Sequence, residues 1–169
     1  MLYNTTGSYN TALGAGSLGH STTADYNTAV GYQSLYTNST GAQNVGIGVQ
    51  ALKANTTGNY NSALGASALS SNSTASGNTA IGTSSLQSNT TASYNTAVGY
   101  QSAYSNTTGA GTYGSVYIGV TAGYSNTTGG DNVYIGARAA YNAGTGSGNI
   151  AIGWRAGSNE AGSIFDIAN

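Results

Sequence analysis

The chain is 169 residues long, with three basic and four acidic side chains, a net charge of −1, and neither cysteine nor proline. So neutral a chain sets up no long-range field, which excludes nucleic-acid backbones and anionic membrane surfaces as partners, and without thiols there is neither a disulfide framework nor a thiolate metal centre. No apolar run nears the roughly 20 residues of a membrane span, and no basic segment with an apolar core follows Met1, so neither membrane insertion nor a secretory signal is read here.

Leu, Ile, Val and Phe are sparse, yet the chain has 14 tyrosines and almost no charge, a composition unlike that of disordered segments. The source of order is a period. Tyr3 to Tyr9 read as the tail end of a coil; from Asn10 a motif of the type Asn-Thr-Ala-Val-Gly begins and returns at Asn27, Asn44, Asn61, Asn78 and Asn95, every 17 residues. An insertion near Gly111 to Tyr113 shifts the frame, which resumes at Ser115, Asn132 and Asn149. No linker or composition shift divides residues 1–169, which form one domain. Residues 163–169 leave the repeat and read as a cap or the start of a further domain.

With the repeat numbered from its Asn, the fifth position is always glycine and the fourth always aliphatic, as in Val30-Gly31, Ile47-Gly48, Leu64-Gly65, Ile81-Gly82 and Val98-Gly99. The eighth is Ser or Ala. The ninth runs Leu18, Leu35, Leu52, Leu69, Leu86 and then shrinks to Ala103, Gly123, Ala140 and Gly157. Seventeen residues are too few for a helix pair but suffice for two short strands and two turns. Positions two to four alternate as a strand, glycine at five permits a corner with positive φ, and Asn-Thr-Thr-Gly, as at Asn55 to Gly58, is turn chemistry. The predicted fold class is all-β: a β-solenoid, or parallel β-roll, of nine coils stacked about 4.8 Å apart into a rod about 45 Å long. The first-position residues Asn27, Asn44, Asn61, Asn78 and Asn95 are structural, suited to αL backbone and to stacking amide to amide along the axis. The corner glycines Gly31, Gly48, Gly65, Gly82 and Gly99 are structural too.

At these residues the chain resembles two groups. Asn27 to Leu35 and Asn95 to Ala103 are similar to repeats of bacteriophage tail fibres; Ala80 to Gly82 and Ala151 to Gly153 resemble the head domains of trimeric autotransporter adhesins. The resemblance implies a left-handed parallel β-roll, a parallel homotrimer, and a place outside the cell or on a virion. One feature of the residues agrees with a trimer. If positions two and four fill the coil, the small third-position residues form an outer rank open to close approach by another chain. Tyr117 and Tyr134 break that rank where the ninth position shrinks, so the two positions share one packed space, within a chain or between chains.

No catalytic, metal or cofactor site is read. His20 is the only histidine and lies in a turn beside Ser21 and near Asp25, where sequence neighbours rarely make a nucleophile–base pair. The acids are scattered, without the carboxylate pair of a glycosidase or a metal cluster. Gly14 to Gly19 matches a dinucleotide fingerprint only literally, lacking the helix it requires. Seven Asn-x-Ser/Thr sites recur from Asn4 through Asn38, Asn55, Asn72, Asn89 and Asn106 to Asn126 and read as turns rather than glycan acceptors. Candidate glycan or partner contacts are Tyr32, Tyr36, Tyr100 and Tyr104, whose rings also serve as core cover, with Trp154 and the pair Arg138 and Arg155. These arginines share the seventh position of adjacent coils, and Asp131, Glu160 or an acid on a partner chain is the expected counter-charge, an anionic ligand such as an acidic sugar the alternative.

The expected function is a non-enzymatic structural segment of a phage tail fibre or surface adhesin, its partners being copies of itself and a cell-surface glycan. The alternative is a filament growing by end-to-end stacking, since neither end carries a charged cap. Ice binding ranks below both, because the adjacent threonines Thr56 and Thr57 cannot share a strand face.

Overall fold

The computed structural model describes residues 3–108, 114–158 and 165–167. The chain is a parallel β-solenoid. Each coil contributes one three-residue strand: β1 Thr11–Leu13, β2 Thr28–Val30, β3 Val45–Ile47, β4 Ser62–Leu64, β5 Thr79–Ile81, β6 Thr96–Val98, β7 Val116–Ile118, β8 Val133–Ile135 and β9 Ile150–Ile152. A tenth, β10 Phe165–Ile167, follows. They form a single parallel sheet in chain order, and equivalent repeat positions face each other, as Thr28 does Val45 and Ala80 does Ala97. The insertion near Gly111 to Tyr113 lies outside the described residues, yet register survives it: Thr96 pairs with Val116. Phe165 pairs with Ile150, so a segment that departs from the repeat in sequence still adds a rung.

The expected two strands per coil are one strand and a long turn path. The turn path is laddered as well. Leu35 N–H donates to Ala51 O at 2.9 Å and Thr37 N–H to Lys53 O at 3.0 Å, so most of the perimeter is tied to the next coil, and what looks irregular within a coil is regular along the axis.

The larger correction concerns which strand face points inward. Positions two and four do not fill the coil. The third position does: Ala29, Ala63, Ala80, Ala97 and Ala151 are fully buried, and so are Tyr117 and Tyr134. Opposite them, Leu18, Leu35, Leu52, Leu69 and Leu86 supply the bulk of the core. The coil has room for one large side chain per layer, so a Leu at nine goes with a small residue at three, Ala or Gly46. Where the third position grows to Tyr117, the ninth shrinks to Gly123, and a Cβ on Gly123 would collide with the Tyr117 ring. The exchange seen in the sequence is therefore packing within one chain. Burial raises the hydroxyl pKa of both tyrosines, that of Tyr134 to about 12.

Glycine at five is required twice over. Its φ is +128° at Gly31 and +134° at Gly48, and a Cβ there would meet the backbone carbonyl of the next coil's glycine. Left-handed backbone also recurs where no glycine announces it, at positions seven, nine and seventeen, as in Gln50 (58°), Leu52 (52°) and Tyr60 (59°). The first-position asparagines are not among the positive-φ residues; the residue before each of them takes the αL turn instead.

Candidate functional site

Three features of the coil meet solvent or bind it together: an amide core line, an aliphatic sheet face, and a cleft holding two arginines.

The amide line is double. Along the first position, Asn44 Oδ1 accepts from the Asn61 N–H at 2.9 Å and from Asn61 Nδ2 at 3.1 Å, and Asn61 Nδ2 also donates to Ala75 O at 2.8 Å. The same contacts recur through Asn27, Asn44, Asn78 and Asn95, all buried. The stacking expected of these residues is thus observed. A second line was hidden inside the Asn-x-Ser/Thr pattern. Asn55 Nδ2 donates to Asn38 Oδ1 at 2.7 Å, Asn72 to Asn55 at 2.8 Å and Asn89 to Asn72 at 2.9 Å. The line breaks where the Tyr117 hydroxyl enters it, taking hydrogen bonds from Asn106 Nδ2 and Asn126 Nδ2 and leaving the side-chain oxygens of Asn89 and Asn106 without a partner. Asn38, Asn55, Asn72, Asn89, Asn106 and Asn126 are fully buried, so the folded rod has no room for a glycan on any of them. Asn4 is the exposed exception.

Because the third position points in, the second and fourth point out. Leu13 is 67% exposed, Leu64 49% and Ile81 41%, and Val45, Ile47 and Ile118 join them. Beside this row, past the glycine corner, stand Tyr32, Val49, Tyr100, Val120 and Trp154, each at least half exposed. The result is a strip along the sheet in which an unbroken aliphatic fourth position runs beside a second position that is Thr or Ser at Thr11, Thr28, Ser62, Thr79 and Thr96 and aliphatic in the other coils.

The tenth-position tyrosines stack on one another. Tyr104 and Tyr124 have ring centroids 5.1 Å apart and Tyr124 and Tyr141 5.0 Å, nearly parallel. Tyr124 is therefore covered on both faces, and desolvation with the neighbouring Tyr141 and Tyr104 raises its hydroxyl pKa. Tyr36 meets His20 edge-on at 4.6 Å, and His20 stacks on Tyr3 at 5.1 Å. His20 is exposed, and Asp25 instead accepts the Ser8 N–H.

Arg138 lies over the Tyr141 ring, 5.1 Å from its centroid, and Arg155 over the Trp154 ring at 5.2 Å. With Asn142 and Ser158 they line an open cleft of about 120 Å³ between the eighth and ninth coils. Asp131 is at position seventeen, and among the described residues no ion pair joins it to either arginine; Glu160 lies outside the described residues.

Comparison with protein families, curated proteins and solved structures finds no match to this chain. The parallel solenoid is compatible with repetitive fibre-forming proteins, and the geometry above carries the functional argument.

Proposed function

We propose that this chain is a structural segment of an extracellular fibre, of the phage tail-fibre or surface-adhesin kind, in which parallel rods associate side by side through the aliphatic sheet face. The observation that carries the reading is that face. A lone rod would hold Leu13, Ile47, Leu64, Ile81 and Ile118 in water along its length, while its polar asparagines are buried. That distribution favours a partner surface of the same kind. Cyclic association of identical rods satisfies it without a second protein, and three is the number the resemblance to adhesin heads implies. The third-position residues are inside the coil, so the rods meet through the second and fourth positions rather than through a rank of small residues. A rod of this kind supplies reach and stiffness for attachment and needs no reactive centre.

Sedimentation equilibrium tests the reading. The expected species has three times the 16.7 kDa chain mass, and Leu64→Lys with Ile81→Lys reduces it to folded monomer, since both side chains are outside the core. A monodisperse monomer of the unsubstituted chain would refute it. Electron micrographs of the same sample separate short rods from endless filaments.

A second reading is favoured by the same face. Thr28 and Val30, Thr79 and Ile81, and Thr96 and Val98 project from one side of regular rungs, the kind of array that can order water into an ice-like lattice. Thr56 and Thr57 lie outside the strands and are no part of that array, and Thr56 Oγ1 donates to Ser73 O at 3.0 Å. Thermal hysteresis shown by an unsubstituted, monodisperse monomer favours the second reading, and its absence from a trimer favours the first.

A further inference from the structure

We propose that the cleft between the eighth and ninth coils is a binding site for an anionic saccharide, a sugar bearing a carboxylate or a sulfate. Two of the three cations in the chain sit here, at equivalent positions one rung apart. The backbone fixes them. Arg138 N–H donates to Val120 O at 2.9 Å and Arg155 N–H to Ala137 O at 3.0 Å; each arginine then closes a turn by accepting from the residue three further on, Tyr141 at 3.2 Å and Ser158 at 3.1 Å. Both guanidinium groups are spread on aromatic rings, which holds their planes while leaving their N–H forks unused. No hydrogen bond or ion pair engages either fork among the described residues. Like charges a rung apart repel, and an anion between them reverses the sign of that interaction.

The rest of the lining selects the class of anion. The cleft holds about 120 Å³ and is open to solvent, the size of one sugar ring and too small for a strand or helix. Asn142 and Ser158 offer donors and acceptors suited to hydroxyl groups, and the Tyr141 ring adds an aromatic wall. Planar forks paired with a planar or tetrahedral oxyanion give the orientation. The site lies past the glycine corner from the sheet face and stands whether or not the rods associate.

Isothermal titration of the purified chain tests it with trigalacturonate, a heparin tetrasaccharide, uncharged maltotriose and sodium sulfate. One of the acidic sugars is expected to bind at one site per chain, weakening as salt is added. Arg138→Gln and Arg155→Gln should each weaken it about tenfold, and Lys53→Gln should leave it unchanged, with circular dichroism and sedimentation unaltered throughout. Stronger binding of trigalacturonate identifies the carboxylate, and stronger binding of the heparin tetrasaccharide, which carries both groups, shows that sulfate adds to recognition. Equal binding of maltotriose, affinity retained in the double variant, sulfate matching the sugars, or no binding of any probe at millimolar concentration would each overturn the proposal.

Discussion

Replacing Asn61 with alanine should cost far more than replacing it with serine, and the structure says why. Asn61 is fully buried in the fourth coil. Its Oδ1 is the acceptor of the Asn78 N–H at 3.0 Å, and no backbone carbonyl substitutes for it. Alanine orphans that buried N–H, a loss of about 1–3 kcal/mol, and deletes the amide's own donations, worth about 1 kcal/mol more. Ala75 O is spared, because Asn72 Nδ2 still reaches it at 3.0 Å. Serine retains the essential acceptor. The seventh coil shows this directly, where Ser115 Oγ takes the Asn132 N–H at 3.0 Å. Asn61→Ser should therefore cost about 1 kcal/mol and Asn61→Ala about 2–4 kcal/mol. Urea unfolding followed by circular dichroism, at one protein concentration because association adds to apparent stability, gives both shifts. Equal losses for the two variants would refute the argument that the orphaned N–H, rather than the missing side chain, sets the cost.

Tyr117→Ala should lose about 3–5 kcal/mol as a buried aromatic, and Gly123→Leu should lose heavily through collision; together they restore an Ala–Leu layer like that of Ala80 and Leu86 and should recover more than half the combined loss, read as a double-mutant cycle. The Tyr134 hydroxyl, raised to about 12 by burial, ionises more readily in the unfolded chain than in the folded one. Its contribution to stability is therefore complete below about pH 10 and is lost between there and about pH 12. Tyr117 adds in the same direction, and Tyr134→Phe should flatten the alkaline limb of a melting-temperature profile. Ser67→Gly should raise stability by about 0.5 kcal/mol, because relief of the αL strain at φ 57° exceeds the entropy cost of glycine; a lowered urea midpoint would contradict the strain assigned to that position.

The period, the corner at Gly31 and its equivalents, and the parallel stacking were all legible in the sequence, because each follows from a residue type repeated at fixed spacing. The inward face was not. A three-residue strand alternates identically whichever side is buried, and the aliphatic fourth position made the wrong side look like core. The deciding signal was present in the exchange of Leu86 for Gly123 as Ala80 gives way to Tyr117: residues that trade volume share a layer, and the ninth position is too apolar to be outside. The second asparagine line was masked by its own regularity. A turn accepts many residues, so Asn at one place in six coils from Asn38 to Asn126 pointed to buried amide pairing rather than to the turn alone. The arginine pair was legible as a pair, because both residues fall at the seventh position of adjacent coils. Nor did the sequence show that Phe165–Ile167 adds a tenth strand, because the offset there departs from 17.

The left-handed backbone at positions seven, nine and seventeen explains how such varied side chains share one scaffold. An αL residue without glycine's freedom costs about 1–2 kcal/mol, and a single coil has no contacts to offset three of them. Each strained residue, however, aims its N–H along the axis. Gln50 donates to Tyr32 O at 2.8 Å and Tyr60 to Ala42 O at 3.2 Å in the coil before, while Leu52 donates to Ala68 O at 3.0 Å in the coil after. The strain is the means by which a turn presents its N–H to a neighbour instead of to water. It is offset only when coils stack, which makes the array rather than the coil the stable unit. What those positions require is a backbone conformation and not a side chain. At the outward ones, seven and seventeen, the chain places Gln50, Thr121, Arg138, Tyr60 or Asp131 on the same frame, so surface chemistry can change from coil to coil while the ladder beneath it stays intact. Arg138 and Arg155 occupy such positions, and the frame that holds them was set by the repeat before their charge entered it.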